Sequence, residues 1–257
     1  MSMDAGLGGP VCLEHSDRVA MWTCSRCGRF ACEACVDAQR ICTQCVGRQV
    51  LSLSSSTPRA RWAGCFLLAH AVTDALTALL ITWALLSGPS VPRKIAEGLV
   101  GLGASCLAIA TPIAFLMWLH LAVRQTRALG IDVGASPRWA VGCWFIPFVN
   151  LVKPYRIVRA LVNGLGGKKA LVSAGHLGLW WGLWLLGNLQ WRSQTEVSTR
   201  DHVEVSISSD TYIVAILRQL ASVSSAILCV GIVRAAQRAL DAWRVRRALG
   251  LAQLPTE

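Results

Sequence analysis

Cys12-Leu-Glu-His15, Cys24-Ser-Arg-Cys27, Cys32-Glu-Ala-Cys35 and Cys42-Thr-Gln-Cys45 set the reading of the N-terminal region. Each pair has the two-residue gap with which one backbone knuckle offers two ligands to one tetrahedral ion. Eight ligands make two complete four-ligand sites with no position left for a reactive water, which is the pattern of structural zinc, two ions per chain. The four-residue gap between the second and third pairs is too short for each to head its own finger. The spacing therefore predicts an interleaved cross-brace, in which the first pair shares a metal with the third and the second with the fourth. Gly28 follows Cys27 directly and suits the tight turn of a zinc knuckle. Apolar residues between the pairs are few (Val19, Met21, Trp22, Phe30, Ile41). A core of that size needs a staple, so metal binding would supply the folding energy.

The same cysteines also admit a disulfide framework or an iron site. Disulfides require an oxidising compartment, and residues 1 to 11 lack the basic start and apolar stretch of a cleavable signal peptide. Charge separates the module from nucleic-acid readers: Arg18, Arg26, Arg29 and Arg40 face Asp4, Glu14, Asp17, Glu33 and Asp37, an excess of one negative charge. That offers no phosphate footprint. A cytosolic protein is the expected partner, and nucleic acid is not.

The rest of the chain reads as membrane. The module takes residues 1–48, and a polar linker, 49–61, contains Leu51-Ser-Leu-Ser-Ser-Ser-Thr-Pro58. Apolar stretches follow over about 62–87, 95–121, 170–190 and 211–233, each near the ~20 residues that a bilayer-crossing helix requires. The expected fold is mainly α, a four-helix transmembrane bundle over 62–240 with a cytoplasmic zinc module before it and a basic tail, 241–257, after it. The net charge of +11 is unevenly placed. Arg124, Arg127, Arg138, Lys153, Arg156, Arg159, Lys168 and Lys169 lie between the second and third spans, and Arg234, Arg238, Arg244, Arg246 and Arg247 follow the fourth. The other two loops hold Arg93 and Lys94, then Arg192 and Arg200 among four acids. By the positive-inside rule both termini are cytoplasmic.

Trp139 to Val152 is an uncharged run of fourteen residues, only ~21 Å long as a helix and short of the ~30 Å core. It reads as in-plane or re-entrant, with Trp139 and Trp144 at headgroup level. Tyr155 to Val162 sets Arg156 and Arg159 opposite Ile157, Val158, Leu161 and Val162, the pattern of an interfacial helix on anionic lipid. The whole interfacial segment is expected over 137–163.

Two resemblances follow from these residues. The order of the metal pairs over 12–45 resembles the B-box zinc finger, whose closing pair is usually two histidines where this chain has Cys42 and Cys45. The middle of the chain resembles a bacterial membrane family, domain of unknown function 4328. That likeness rests on Trp118, Arg124, Leu129-Gly130, Ser136-Pro137, Trp139-Ala-Val-Gly142, Trp144-Phe-Ile-Pro147, Asn150 and Lys153-Pro154-Tyr155. It extends through Leu179-Trp180-Trp181-Gly-Leu-Trp184 and covers roughly 62–240. It implies a four-span protein of the bacterial inner membrane and carries no established activity.

Asp74 lies near the middle of the first span, where a carboxylate costs at least ~2 kcal/mol, and Arg218 reaches a similar depth from the fourth. The two are expected to form an intramembrane ion pair. His70, His120 and His176 fall on three spans without ligand-spaced companions. Gly178-x-x-x-Gly182, Gly98 and Gly101 read as close helix approaches, Thr111-Pro112 as a bend, and Cys65, Cys106, Cys143 and Cys229 as small apolar fillers. No catalytic motif is present: no phosphate-binding glycine loop, no His-Glu-x-x-His, no Gly-x-Ser-x-Gly. The leading functional reading is a docking adaptor or scaffold without catalysis. The alternatives are a small transporter or channel-like protein using Asp74 and Arg218 under control of the module, and a ubiquitin-ligase-like enzyme. Homo-oligomerisation is left open.

Overall fold

A computed structural model describes residues 9–36, 40–52, 54–87, 91–166, 171–188, 196–198, 204–206 and 209–248. The basic positions Lys168, Lys169, Arg192 and Arg200, and the tail beyond residue 248, lie outside the described residues. Among the described residues the secondary structure is mainly helical, with two small hairpins. The first, β1 (Trp22–Thr23) with β2 (Phe30–Ala31), belongs to the metal module. The second, β3 (Glu196–Ser198) with β4 (Glu204–Ser206), lies between the last two helices.

Helix α1 (Thr43–Ser52) starts within the last metal pair, between Cys42 and Cys45. Three long helices follow: α2 (Thr57–Ser87), α3 (Val91–Ala128) and α7 (Ser209–Ala248). Each contains a window long and apolar enough to cross a membrane. Between α3 and α7 come α4 (Pro137–Gly142), a single 3₁₀ turn (Val149–Leu151), α5 (Lys153–Gly166) and α6 (Ala174–Asn188).

The four-helix transmembrane bundle expected from hydropathy is therefore met by three long helices. The stretch expected at 170–190 forms a helix of only 15 residues, ~22 Å of rise against a ~30 Å core. It packs antiparallel against the middle of α7: His176 Nε2 lies 3.4 Å from Leu228 O, Ser225 Oγ donates to Trp180 O (3.3 Å), and a Cβ on Gly187 would come 3.3 Å from Ser222 Cα. Nearer the module end, Trp243 Nε1 on α7 donates to Leu165 O of α5 (3.0 Å).

Helices α2 and α7 run antiparallel, with Asp74 against Ser222 at one end and Thr57 against Asp241 at the other. Helices α2 and α3 are also antiparallel, since Thr111 Oγ1 donates to Phe66 O (3.3 Å) and Ser56 Oγ to Gln125 Oε1 (2.7 Å). The start of α2 and the end of α7 thus share the end that carries the metal module. The face that α2 buries is Ala60, Ala63, Gly64, Leu67, Ala71, Asp74 and Ala78, a helical-period stripe of mostly small residues that lets α3 and α7 approach. The glycines expected to do this do not: nothing lies within 4 Å of a Cβ on Gly98, Gly101, Gly178 or Gly182. Of the four isolated cysteines, Cys143 and Cys229 are buried, whereas Cys65 and Cys106 are exposed.

The linker expected over 49–61 is instead mostly helix, shared between α1 and α2. Val46 belongs to the same apolar core as Leu119, Ala122 and Val233, so the module is packed on the bundle and does not swing on a coil. A buried polar node holds this junction. Ser56 Oγ lies 2.7 Å from Gln125 Oε1 and 2.9 Å from Gln237 Oε1. Trp118 Nε1 donates to Gln237 Oε1 (3.1 Å), and Gln237 Nε2 donates to Asp241 Oδ1 (3.0 Å) and Thr57 Oγ1 (3.2 Å).

The segment 137–163 also differs from a helix lying flat on lipid. Ser136 caps α4 by accepting from the Trp139 amide (3.2 Å), with Pro137 at the first turn, where its missing N–H costs nothing. His120 Nδ1 sits 3.1 Å from Pro137 O, whereas Trp144 meets Phe115 edge-on at 5.5 Å. The chain thus climbs α3 away from the module end, turns over 145–152, and returns in α5, which is re-entrant geometry. Helix α5 buries Pro154, Ile157, Val158, Leu161, Val162 and Leu165 in the protein core, so its apolar face is spent on its own bundle rather than on the bilayer. Trp144 is likewise drawn inward, against Trp181 and Trp184, and Tyr155 packs on Trp181. What remains for lipid is the turn itself: Phe145 and Phe148 are 74% and 84% exposed.

Gln237→Leu should destabilise the detergent-solubilised protein by about 2 kcal/mol, because it strands the buried Trp118 N–H without an acceptor. Arg238→Gln, exposed one residue further on, should change stability by less than about 0.5 kcal/mol. Equilibrium unfolding of the two variants checks this, and equal effects would show that the node carries no special weight.

Candidate functional site

The eight ligands gather as two groups. Cys12, His15, Cys32 and Cys35 form one; Cys24, Cys27, Cys42 and Cys45 form the other, each with its ligand atoms within 4.8 Å of one another. The pairing is first with third and second with fourth, the interleaved arrangement that the gaps imply. In the first group His15 Nδ1 lies 3.1 Å from Cys35 Sγ and 3.6 Å from Cys32 Sγ, and the sulfurs of Cys12 and Cys35 are 3.7 Å apart. In the second, Cys27 and Cys42 are also 3.7 Å apart. A tetrahedron with bonds of about 2.3 Å to sulfur has edges of ~3.8 Å, while a disulfide needs about 2.05 Å. The cysteines are free thiols spaced to hold an ion.

Local structure explains the spacing. Gly28 adopts φ +72°, and the loop closes with Gly28 N–H to Cys24 O (2.9 Å) and Cys24 N–H to Arg29 O (2.8 Å). Only a residue without Cβ takes that left-handed turn freely. The Cys42 amide donates to Cys24 Sγ at 3.2 Å. Burial opposes ionisation of Cys24, but the amides of Cys42, Arg26 and Cys27 outweigh it and bring the thiol down to about 6. Cys12 behaves alike: burial raises it, and amides of Cys32, Glu14 and His15 bring it to about 6. Cys45 goes the other way, pushed up to about 12 by burial and then by the neighbouring Cys27, Cys42 and Cys24. Four sulfurs this close resist collective ionisation until a cation joins them.

The halves of the module are tied across both groups. Thr43 Oγ1, beside Cys42, donates to Glu14 (2.9 Å), beside His15, and the Arg40 guanidinium sits 4.6 Å above the Trp22 ring.

The second expected site is arranged differently from its reading. Asp74 is buried, and Ser222 Oγ donates to its Oδ2 at 2.5 Å, with His70 Nε2 3.6 Å from the same oxygen. Asp74 and Arg218 line one cavity, but among the described residues it is the His70 imidazole and not Arg218 that lies against the Asp74 carboxylate. The i, i+4 spacing of His70 and Asp74 is a sequence signal for that contact. The three histidines do not converge: His120 faces Pro137 O, and His176 Nε2 lies 3.4 Å from Leu228 O. Of the remaining re-entrant positions, Trp139 is 42% exposed, Pro147 and Lys153 are exposed, and Asn150 is half-buried with its Oδ1 unpartnered.

Element analysis of the full chain, purified under reducing conditions, should return two metal ions per molecule. Because the groups interleave, Cys24→Ser should lower occupancy of both. In the metal-free module Cys45 keeps its proton at neutral pH, so capture of an ion must displace it, and affinity should fall as pH falls. Chelator competition between pH 6 and 8 should show a loss of at least about tenfold per unit of acidification; a flat profile would contradict the coordination by Cys45.

The family model described as Domain of unknown function (DUF4328) matches residues 93–238, more than half of the 257-residue chain. No curated protein and no solved structure matches it. The matched range runs from α3 through most of α7 and leaves the metal module and α2 outside. The chain therefore belongs to the DUF4328 family, with two groups of four residues that could each hold a metal ion set in front of the family's domain.

Proposed function

We propose that the protein is a multi-pass membrane protein whose cytoplasmic module holds two zinc ions and docks a cytosolic protein, with no catalysis of its own. Sets of four cysteines, or three with a histidine, closed at tetrahedral spacing, are the donor sets of structural zinc. The observation that carries the docking role is the apolar surface the module leaves open. Leu13, Val19 and Met21 are 68%, 62% and 71% exposed. Val11 pairs with Val19 across an isolated bridge, which turns both side chains to one face. A module this small has little apolar material, and these residues contribute nothing to its core. Apolar groups on a fixed, weakly acidic surface suit a protein partner and offer nothing to phosphate. The B-box likeness of the ligand order points the same way. Helix α1 holds this surface at one end of the bundle, so the partner comes to the membrane.

Leu13→Ser with Met21→Ser should leave two metals bound and abolish capture of the partner when the full-length protein is cross-linked in native membranes and pulled down. Unchanged capture by the double variant would refute the surface. Binding of RNA or DNA with a steep salt dependence would replace the partner class.

The placement is proposed as the bacterial inner membrane with both termini cytoplasmic. The basic loops support it, as does the meeting of Thr57 with Asp241 at the module end. Reporter fusions after Ser90 and Ser206 should read outside, and those after Gly166 and Gly250 inside. An outside signal at Gly250 would mean an odd number of crossings. A second reading, a small transporter regulated by the module, is favoured by the cavity that Asp74 and Arg218 share.

A further inference from the structure

Helices α2, α3, α6 and α7 enclose a cavity of about 550 Å³, within the usual ~300–1,000 Å³ of small-molecule sites. Its walls are graded. At the end distant from the metal module stand Asp74, Ser105, Asn188, Arg218 and Gln219; toward the module it is lined by Leu67, Phe115, Leu116, Trp180, Ala226 and Cys229. Trp144 and Trp184, in edge contact at 5.6 Å, form an aromatic side wall. A polar mouth over an apolar floor matches an amphiphile better than an ion or a sugar.

The charges define which amphiphile. Asp74 already accepts from Ser222 and faces His70. Arg218, exposed at the mouth, places a guanidinium there and makes no ion pair among the described residues. Deeper in, Trp144 and His70 also line the cavity, and their Nε1 and Nδ1 atoms are buried without a hydrogen-bond partner among the described residues. Pro112, also on the wall, supplies no N–H to the Ala108 carbonyl one turn back, so the cavity side of α3 is more polar than its sequence suggests.

We propose that this cavity binds a small amphiphilic anion, its acid group at Arg218 and its apolar body against Phe115, Trp144 and Trp184. Such a molecule is either a free single-chain acid or an anionic lipid that enters from the bilayer. The chemistry is shared: one negative oxygen-rich head that a guanidinium can hold through paired hydrogen bonds, and an apolar chain or ring. The site is independent of the metal module, and it stands whether or not the module docks a protein.

The test is photoaffinity labelling of the full-length protein in phosphatidylcholine nanodiscs. The probes are dodecanoic acid carrying a chain diazirine, the corresponding dodecanol, and a phosphatidylglycerol with the same group on one acyl chain; labelled peptides are mapped by mass spectrometry. The acid should label α6 and α7 residues of the cavity, compete with unlabelled dodecanoate, and exceed the alcohol by about tenfold or more, the worth of roughly one charge-assisted contact. Arg218→Gln should remove that preference and Arg218→Lys retain most of it. Ala108→Phe, at an exposed wall position where the core is not disturbed, should block labelling by occupancy. Labelling by phosphatidylglycerol with none by the free acid assigns the anion to the lipid. Equal labelling by acid and alcohol, labelling outside the cavity only, or a signal indifferent to both Arg218→Gln and Ala108→Phe overturns the proposal.

Discussion

A polar group inside an apolar bundle must find a partner there, and the amide oxygen of Gln237 answers that constraint for three helices at once. It receives Trp118 Nε1 from α3 and the Ser56 hydroxyl from the turn before α2, and its own nitrogen reaches Thr57 and Asp241. Ser56 and Gln125 are fully buried and Gln237 nearly so. A single hydroxyl proton on Ser56 serves only one of the two glutamine oxygens at a time, so the node holds together as a set rather than as separate pairs. Everything at the module end hangs on this register: the entry of α2, the last turns of α3 and α7, and the seat of α1.

Farther along the bundle the packing changes character. Phe115, Trp144, Trp181 and Trp184 meet largely edge to face, with Trp181 and Trp184 stacked at 4.7 Å. Large rings fill much of the volume here, but rigid shapes of this size leave gaps. The cavity lies beside them. Its far end is polar because Asp74, Arg218 and Ser222 face inward, and short α6 closes one side with Trp180 and Trp184, its Gly187 coming against Ser222.

The metal module follows a different logic. With Ala20 and Ala31 as the main buried apolar residues beside its ligands, it has too little core to fold by burial, a role that metal–sulfur bonds at the two ligand groups would fill. This frees Leu13, Val19 and Met21 to face outward, a use of apolar residues that a hydrophobically folded domain of the same length could not sustain. Interleaving makes the two sites one cooperative unit, and Val46 joins that unit to the bundle.

The ligand pairs, their interleaved partnership, and three of the long apolar helices could be read directly, because each depends on local spacing: a two-residue knuckle gap, or a run of apolar residues as long as a bilayer is thick. The family of the membrane domain was legible for the same reason, in its spaced Trp, Pro and Asn. Contacts between distant segments were not. Nothing in Tyr155 to Val162 says whether its apolar face meets lipid or protein, since both solvents look alike to an amphipathic helix; only the re-entrant turn at 145–152 puts it against α7. Gly178 and Gly182 match a close-packing pattern and yet face open space, because that pattern records what a helix permits and not which neighbour arrives. Asp74 was recognisable as a costly intramembrane charge, but its partners, His70 one turn away and Ser222 on α7, depended on the rotation of α2 and the depth of α7. The sequence by itself determined which groups need partners; the tertiary structure decided which ones they receive, because helices in an apolar medium are placed by shape and by polar satisfaction, neither of which is written in any one segment.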